Sequence, residues 1–310
     1  MDISGVSKSN QSNENIKSKA SKFSSKRAQF YSTWFRQNFS IPNNIIYYIL
    51  KNPKSAKLYQ KMIQTCKYFF IKNPIIVIDS RLYFYGENQW KVERKLYDIT
   101  KVTCKFWITG DLCIAPKYLN INKNMNKNIV FSIIPKLYKC APKYLFIYNQ
   151  NIFFQDLSFF ISSAENIDFT DACVKNDDGS NVSVETIVEI AFKAKVITFG
   201  RRFTITSKTM KELLKIPNFL KLDEFCMLDI SEDFDLETFY NYMKKNKTTK
   251  FWFHFQNQIS EAYKNRIETI VDEIIATKKF YYKPPFFTFD GIDIGKRETL
   301  NKIYYLPLNF

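Results

Sequence analysis

Glycine, histidine and tryptophan are scarce: 7 glycines, 1 histidine and 4 tryptophans stand among 310 residues. So few glycines argue against a Gly-rich phosphate loop or a chain of two-residue hairpins. Neither a Walker loop nor a dinucleotide fingerprint is present. With one histidine, His254, a histidine-rich metal site is not available. A Ser-His-Asp or Cys-His pair would have to use that same residue. It sits in an apolar run beside Trp252 and Phe253, which suits a structural role. The six cysteines, Cys66, Cys104, Cys113, Cys140, Cys173 and Cys226, form no C-x-x-C pair. Their spread disfavours a zinc site and a small disulfide scaffold, and most lie in apolar runs where a reduced thiol packs as a small hydrophobe. No apolar run approaches the roughly 18 residues that cross a bilayer, and no signal peptide is visible at the start. The expectation is a protein of the cytoplasm, the nucleus or both, with no membrane contact, no metal and no cofactor.

Two acidic stretches invite a chemical role and have simpler accounts. Asp177-Asp178-Gly179 opens like a cation loop, but the EF-hand pattern does not follow, so a turn is expected. Glu232, Asp233 and Asp235 precede a helix, where negative charge complements the helix dipole. No catalytic residue is expected.

What the chain has in plenty is apolar and basic. At 45% apolar and 17% aromatic it can bury a sizeable core. Lys and Arg number 46 against 30 Asp and Glu, a formal charge of +16. A basic excess admits a binding protein for RNA or for an acidic protein surface. The lysines are spread out, however, and Asn, Ile, Phe and Tyr are also abundant, so compositional bias accounts for the charge. The run Phe251-Trp252-Phe253-His254-Phe255 has aromatics at every register and no glycine nearby. It reads as a strand buried on both sides rather than a base-stacking platform. Nucleic acid is not an expected partner.

Along the chain, residues 1–28 form a polar, basic arm expected to be flexible. Residues 29–39 are aromatic-rich and suit a short helix. Residues 29–74 as a whole suit a small helical module. Ser40 is a candidate N-cap, with Pro42 just inside the helix start. Ile45, Ile46, Ile49 and Leu50 form an apolar stripe, and Asn52-Pro53 ends it. A second helix is expected from about Ser55 to Phe70, carrying Leu58, Met62, Cys66 and Phe69. So small a module cannot close its own core and needs something to pack against.

Residues 75–142 suggest strands at Ile75–Ile78, Leu82–Tyr85 and Lys105–Thr109 and an interrupted helix over 127–140. They are expected to form an irregular α/β connection. Over 143–310 a short apolar strand alternates with an amphipathic helix. Strands are expected at Leu145–Tyr148, Ile167–Phe169, Val196–Phe199, Leu222–Leu228, Phe251–Phe255 and Phe286–Phe289. Helical stripes run through Val184–Ala191, Leu236–Met243 and Tyr263–Ile274, with Ser183, Asp235 and Ser260 as N-caps. Units of about 22 to 30 residues have the period of leucine-rich repeats and stack as parallel strands with helices outside. The lack of glycine at the strand ends favours this α/β solenoid over a doubly wound sheet.

Residues 41–70 resemble the F-box. That family's module opens with Leu-Pro, continues with spaced aliphatics and closes on a Cys-Arg-x-Trp-like element. Here the opening is Ile41-Pro42, the aliphatics are Ile45, Ile49, Leu50, Leu58 and Ile63, and the close is Cys66-Lys67-Tyr68-Phe69. Asn44 stands where the family often has an acidic residue, and Phe69 replaces the usual tryptophan. The family commonly places this module ahead of a repeat domain, often leucine-rich, and this chain has that order. The resemblance implies a non-catalytic, substrate-recognition subunit of a ubiquitin ligase. The F-box would bind a Skp-type adaptor, which joins it to a cullin-RING ligase, and the repeat domain would hold a target protein. It implies that Ile41, Pro42, Ile45, Ile49, Leu50, Leu58, Ile63, Cys66 and Phe69 line or support the adaptor contact. The family's adaptor is acidic, so Lys51, Lys54 and Lys57 would favour encounter.

Overall fold

In a computed structural model, the structure describes residues 26–33, 38–86, 88–115 and 127–307. The arm expected over residues 1–28 lies almost wholly outside the described residues, as does 34–37 of the aromatic stretch. The chain divides into two compact units, one ending at Pro74 and one beginning at Ile75.

The first unit contains α1 (Lys26–Ser32), α2 (Asn43–Lys51), α3 (Ala56–Thr65) and α4 (Lys67–Lys72). Ser40 does not cap α2. Pro42 occupies the capping position, and its carbonyl accepts from Ile45 N (3.0 Å) and Ile46 N (3.1 Å). Its ring fixes φ at a value that already feeds the helix. Ser55 caps α3 as a side-chain acceptor for Leu58 N at 3.2 Å. The single helix expected from Ser55 to Phe70 is broken at Cys66, which is extended at φ −150°, ψ 125°. Just before the break, Thr65 Oγ1 donates to Met62 O at 2.8 Å, a side-chain bond that competes for the helix's own acceptors. The turn aims the α4 rings at earlier aromatics. Tyr68 and Phe69 meet Phe39, with centroids 5.2 and 5.7 Å apart, and Phe70 meets Phe30 edge-on at 6.0 Å. Ile46, Leu50 and Tyr59 are buried. Tyr59 Oη donates to Asn73 O, and Asn73 Nδ2 donates to Leu50 O at 2.8 Å, tying the end of α4 to the end of α2.

The second unit is mixed α/β. Its strands are β1 (Ile75–Ile78), β2 (Leu82–Gly86), β3 (Gln89–Val92), β4 (Lys95–Asp98), β5 (Lys105–Ile108), β6 (Leu112–Ile114), β7 (Leu137–Cys140), β8 (Tyr144–Ile147), β9 (Asn151–Phe153), β10 (Asn166–Phe169), β11 (Cys173–Lys175), β12 (Val196–Phe199), β13 (Glu224–Ile230), β14 (Lys250–Phe255) and β15 (Phe286–Thr288). Ten of them form one open sheet in the order β15-β14-β13-β12-β10-β8-β6-β2-β3-β4. From β2 to β15 every neighbouring pair is parallel, while β3 and β4 add an antiparallel edge. A second parallel sheet, β1-β5-β7, interleaves with it along the chain, and each of its strands leads through a short corner into β2, β6 or β8. Residues 75–142 are therefore not a connection: they contribute β2, β3, β4 and β6 to the large sheet. The sequence there hid this because the return leg is a strand instead of a helix. The helix expected over 127–140 is one turn, α5 (Val130–Ile133), and a 3-10 turn holding Pro135, followed by β7. Proline at that point cannot donate to continue the α ladder.

Later units return through helices: α6 (Phe154–Ile161), α7 (Val184–Ile190), α8 (Thr209–Leu213), α9 (Leu236–Met243), α10 (Glu261–Ala276) and α11 (Ile294–Tyr304). The caps expected at Ser183, Asp235 and Ser260 all accept from the backbone N three residues on. Strand register lines up Ile114, Ile147, Phe169, Phe199, Met227, Phe253 and Phe287 as one inward file, each at most 1% exposed. Adjacent rings touch at 6.0 Å (Phe169–Phe199) and 6.0 Å (Phe253–Phe287). Burying one such side chain is worth roughly 1.5–3 kcal/mol, so this file and its neighbours hold the stack together. Opposite charges bridge neighbouring strands at their amino ends: Arg81 with Asp111 (3.1 Å) and Lys195 with Glu165 (2.7 Å).

Candidate functional site

The residues implied by the resemblance separate into two groups. Ile41, Pro42, Ile45, Ile49 and Leu58 are exposed, whereas Ile63, Cys66 and Phe69 are half-buried and Leu50 is wholly buried. The apolar stripe expected on α2 is in fact two faces. Ile46 and Leu50 point inward, and Ile45 (47% exposed) and Ile49 (37%) point outward with Ile41 four residues earlier. Leu50 thus belongs to the interior and not to an open surface, and Phe69 is engaged by Phe39 and Tyr68. A short helix that is apolar on two faces calls for cover on both. Lys51, Lys54 and Lys57 are exposed in the same unit.

The second surface is the outward face of the large sheet. One outward file carries Tyr83, Cys113, Phe146, Asp168, Thr198, Cys226, Trp252 and Phe286, as the register dictates. Asp168 is raised by burial, although it accepts from Thr170 N (3.0 Å) and Thr170 Oγ1 (2.6 Å). Trp252 is 40% exposed and packs edge-on against Phe286 at 5.9 Å. The strand Phe251–Phe255 is therefore buried on one side only: Phe251, Phe253 and Phe255 point in, and Trp252 and His254 point out. The expectation of burial on both sides was wrong: Trp252 is 40% exposed and His254 half-buried, while Phe251, Phe253 and Phe255 are buried.

At the carboxyl ends of β12 to β15 this face opens into a hollow of about 340 Å³. Arg201, Asp229, His254, Gln256 and Asp290 line it with two neighbouring carboxamides. Carboxyl ends of parallel strands are where open α/β sheets gather ligands. β13 builds the site: its pairing slips between Leu228 and Ile230, and Asp229 adopts a left-handed φ of 65°. Such a bulge re-aims one side chain out of the ladder. Gln256 Nε2 donates to Asp229 O (3.0 Å) and Oδ2 (3.2 Å), which holds the carboxylate in place. Asp290 follows β15 and precedes Gly291, whose φ is 100°. None of the lining residues is Ser, Thr, Cys or Lys, so His254 has two carboxylates in its hollow but no hydroxyl, thiol or amine to activate.

Sequence reasoning named His254 here and missed Arg201, Asp229, Gln256 and Asp290. The Asp290-Gly291 pair is a turn signal, but nothing local marks Asp229, since a bulge depends on the partner strand. Among the described residues no group of three or more His, Cys, Asp or Glu is placed to hold a metal ion, and no helix is long and apolar enough to cross a membrane. Compared with protein-family models, curated proteins and solved structures, the chain matches none.

Proposed function

We propose that the chain is the substrate-recognition subunit of a Skp-cullin-F-box ubiquitin ligase. Residues 41–70 act as an F-box, and the strand–helix unit acts as a leucine-rich-repeat-like solenoid that holds the target. The observation that carries this is α2: it is apolar inward through Ile46 and Leu50 and apolar outward through Ile45 and Ile49. An outward apolar face beside Lys51, Lys54 and Lys57 suits an acidic protein partner with its own apolar groove, the chemistry of a Skp-type adaptor. The mechanism is positional. The adaptor and cullin bring a ubiquitin-charged enzyme close to the held target and raise its effective concentration, so no residue of this chain need perform chemistry.

The test mixes purified protein and a Skp-type adaptor on a sizing column. Full burial of an isoleucine is worth roughly 1.5–3 kcal/mol, so covering the exposed half of Ile45 and of Ile49 contributes about 1 kcal/mol each. An unpaired carboxylate in their place costs several kcal/mol more. Ile45→Asp/Ile49→Asp should therefore weaken the complex more than a hundredfold while the circular dichroism stays unchanged, because both side chains are already exposed. Leu50→Asp is the wrong probe, since it breaks the interior. Failure of the native protein to co-elute, or equal co-elution of the double variant, removes the assignment.

A binding protein for RNA is the alternative. The exposed Trp252 supports it, since bases stack on such rings. Asp229 and Asp290, which line the hollow at the end of that sheet face, oppose it, because they repel a phosphate backbone. The receptor assignment accounts for both surfaces.

A further inference from the structure

We infer that the hollow at the carboxyl ends of β12 to β15 is the target-binding site, and that it takes an arginine side chain of the target protein; as a statement about a target, this rests on the receptor assignment. Three observations point to that chemistry. The lining has two carboxylates, Asp229 and Asp290, against one guanidinium, Arg201, and no lysine, in a chain whose formal charge is +16. The basic excess thus stops at this hollow. Asp290 has no ion pair or hydrogen bond among the described residues. Asp229 is held by Gln256 through Oδ2, which leaves its other oxygen open. Lastly, Trp252 presents a 40%-exposed indole two residues before His254 on the same outward face of β14.

A guanidinium fits this set better than an ammonium. Its planar fork donates to two carboxylates at once, whereas an ammonium is a point charge. The volume of about 340 Å³ admits one long side chain with its waters, at the lower end of ligand-pocket sizes. Arg201 is exposed at the rim, whereas Arg202 is fixed by Asp171 O (3.1 Å) and Asn151 Oδ1 (2.8 Å). Arg201 therefore competes with an arriving guanidinium for the same carboxylates, and its removal should favour binding.

The single histidine makes the test direct. In the full chain, His254 provides one imidazole signal by nuclear magnetic resonance, inside the hollow. The probe is arginine blocked at both ends (acetyl and methylamide), titrated to about 50 mM, with blocked citrulline as the neutral isostere. The expected result is a saturable shift of the His254 signal with the arginine probe and none with citrulline. Asp290→Asn and Asp229→Asn should each weaken it at least fivefold; asparagine tolerates the left-handed backbone at 229, so the fold is kept. Arg201→Ala should tighten it. Equal shifts from both probes, no shift at all, or loss of binding in Arg201→Ala each overturn the inference. None of these outcomes touches the adaptor complex. Co-elution with adaptor but no arginine binding sinks this inference alone, and arginine binding without co-elution sinks the receptor assignment and leaves an arginine site with no target.

Discussion

Gly110 tests the stacking that the second unit depends on. It stands at the corner between β5 and β6, directly against the preceding corner. A Cβ there would run into the Ser80 carbonyl oxygen and stand 2.5 Å from Asp79 O and 2.6 Å from Asp79 C. These are backbone atoms, so no side chain can swing aside. Optimal carbon contacts lie near ~3.5–4.0 Å, so the two corners must separate by about 1 Å. That movement strains Thr109 N→Ile78 O (2.8 Å), Gly110 N→Ile78 O (3.2 Å) and Lys143 N→Gly110 O (3.0 Å). Losing two or three such bonds costs about 1 kcal/mol each, and overpacking adds about 1–3 kcal/mol. Gly110→Ala should therefore destabilise the second unit by about 3–6 kcal/mol. For a unit of this size that is a fall of roughly 6–24 °C in Tm, read by scanning calorimetry. Gly179→Ala is the control. Its Cβ meets nothing within 4 Å, and only its φ of +82° resists, at a cost of about 1 kcal/mol. If Gly110→Ala melts within about 2 °C of the native chain, or loses less than Gly179→Ala, the corner-to-corner packing described above is wrong.

Burial pushes the Cys113 thiol up to about 11 and also raises Cys140 and Cys226. Since the thiolate is the nucleophile, Cys113 should react with iodoacetamide at pH 8 roughly a hundredfold more slowly than the same residue in denaturant; mass mapping showing prompt labelling of folded Cys113 would contradict this. Asp235→Ala removes the cap on α9, the bond to Thr238 Oγ1 (2.7 Å) and the pair with Lys211 (3.2 Å), and should cost about 1–2 kcal/mol at pH 7 in urea unfolding. The Asp235 carboxyl is lowered chiefly by its bond from Thr238, so its folded value lies below the unfolded one near about 3.9. Its contribution is complete above the unfolded value and is lost as pH falls through the folded one. The gap between native chain and variant should accordingly shrink from pH 5 to pH 2; a constant gap would show that charge plays no part.

The later strands and helices were legible because each carries its own signal. Val184, Ile187 and Val188 repeat at helical spacing, and Ser183, Asp235 and Ser260 stand where an exposed backbone N–H needs an acceptor. The first turns of the stack were not legible. There the return leg is β1, β5 or β7, short apolar runs that look alike whether they pair with each other or with the large sheet. Only the corners decide, and a corner such as Asp79-Ser80-Arg81 has no period to read. The break at Cys66 was hidden for a related reason: Leu58, Met62, Cys66 and Phe69 keep a helical spacing even though the chain turns between them. Ring contacts from Phe39 and Phe30, distant in sequence, favour the turn.

The candidate sites divide along the same line. Apolar spacing shows that a helix has something to bury, but it does not say on which side the cover comes from its own chain. In α2, Ile45 and Ile46 are neighbours with the same side chain, and one is 47% exposed while the other is 3% exposed. In β14, Phe251, Trp252 and Phe253 are consecutive aromatics, and only the middle one faces out. The difference is set by what lies across from each residue, which is a property of tertiary packing. The hollow is further still from the sequence. Arg201, Asp229, His254 and Asp290 come from four different strand ends, 89 positions apart at the extremes, and meet only because the strands stack in order. A parallel sheet writes its core into each strand, but the hollow at its carboxyl ends is written across several of them. The residues that line the hollow are those that look least regular within their own strand, and the bulged Asp229 is one of them.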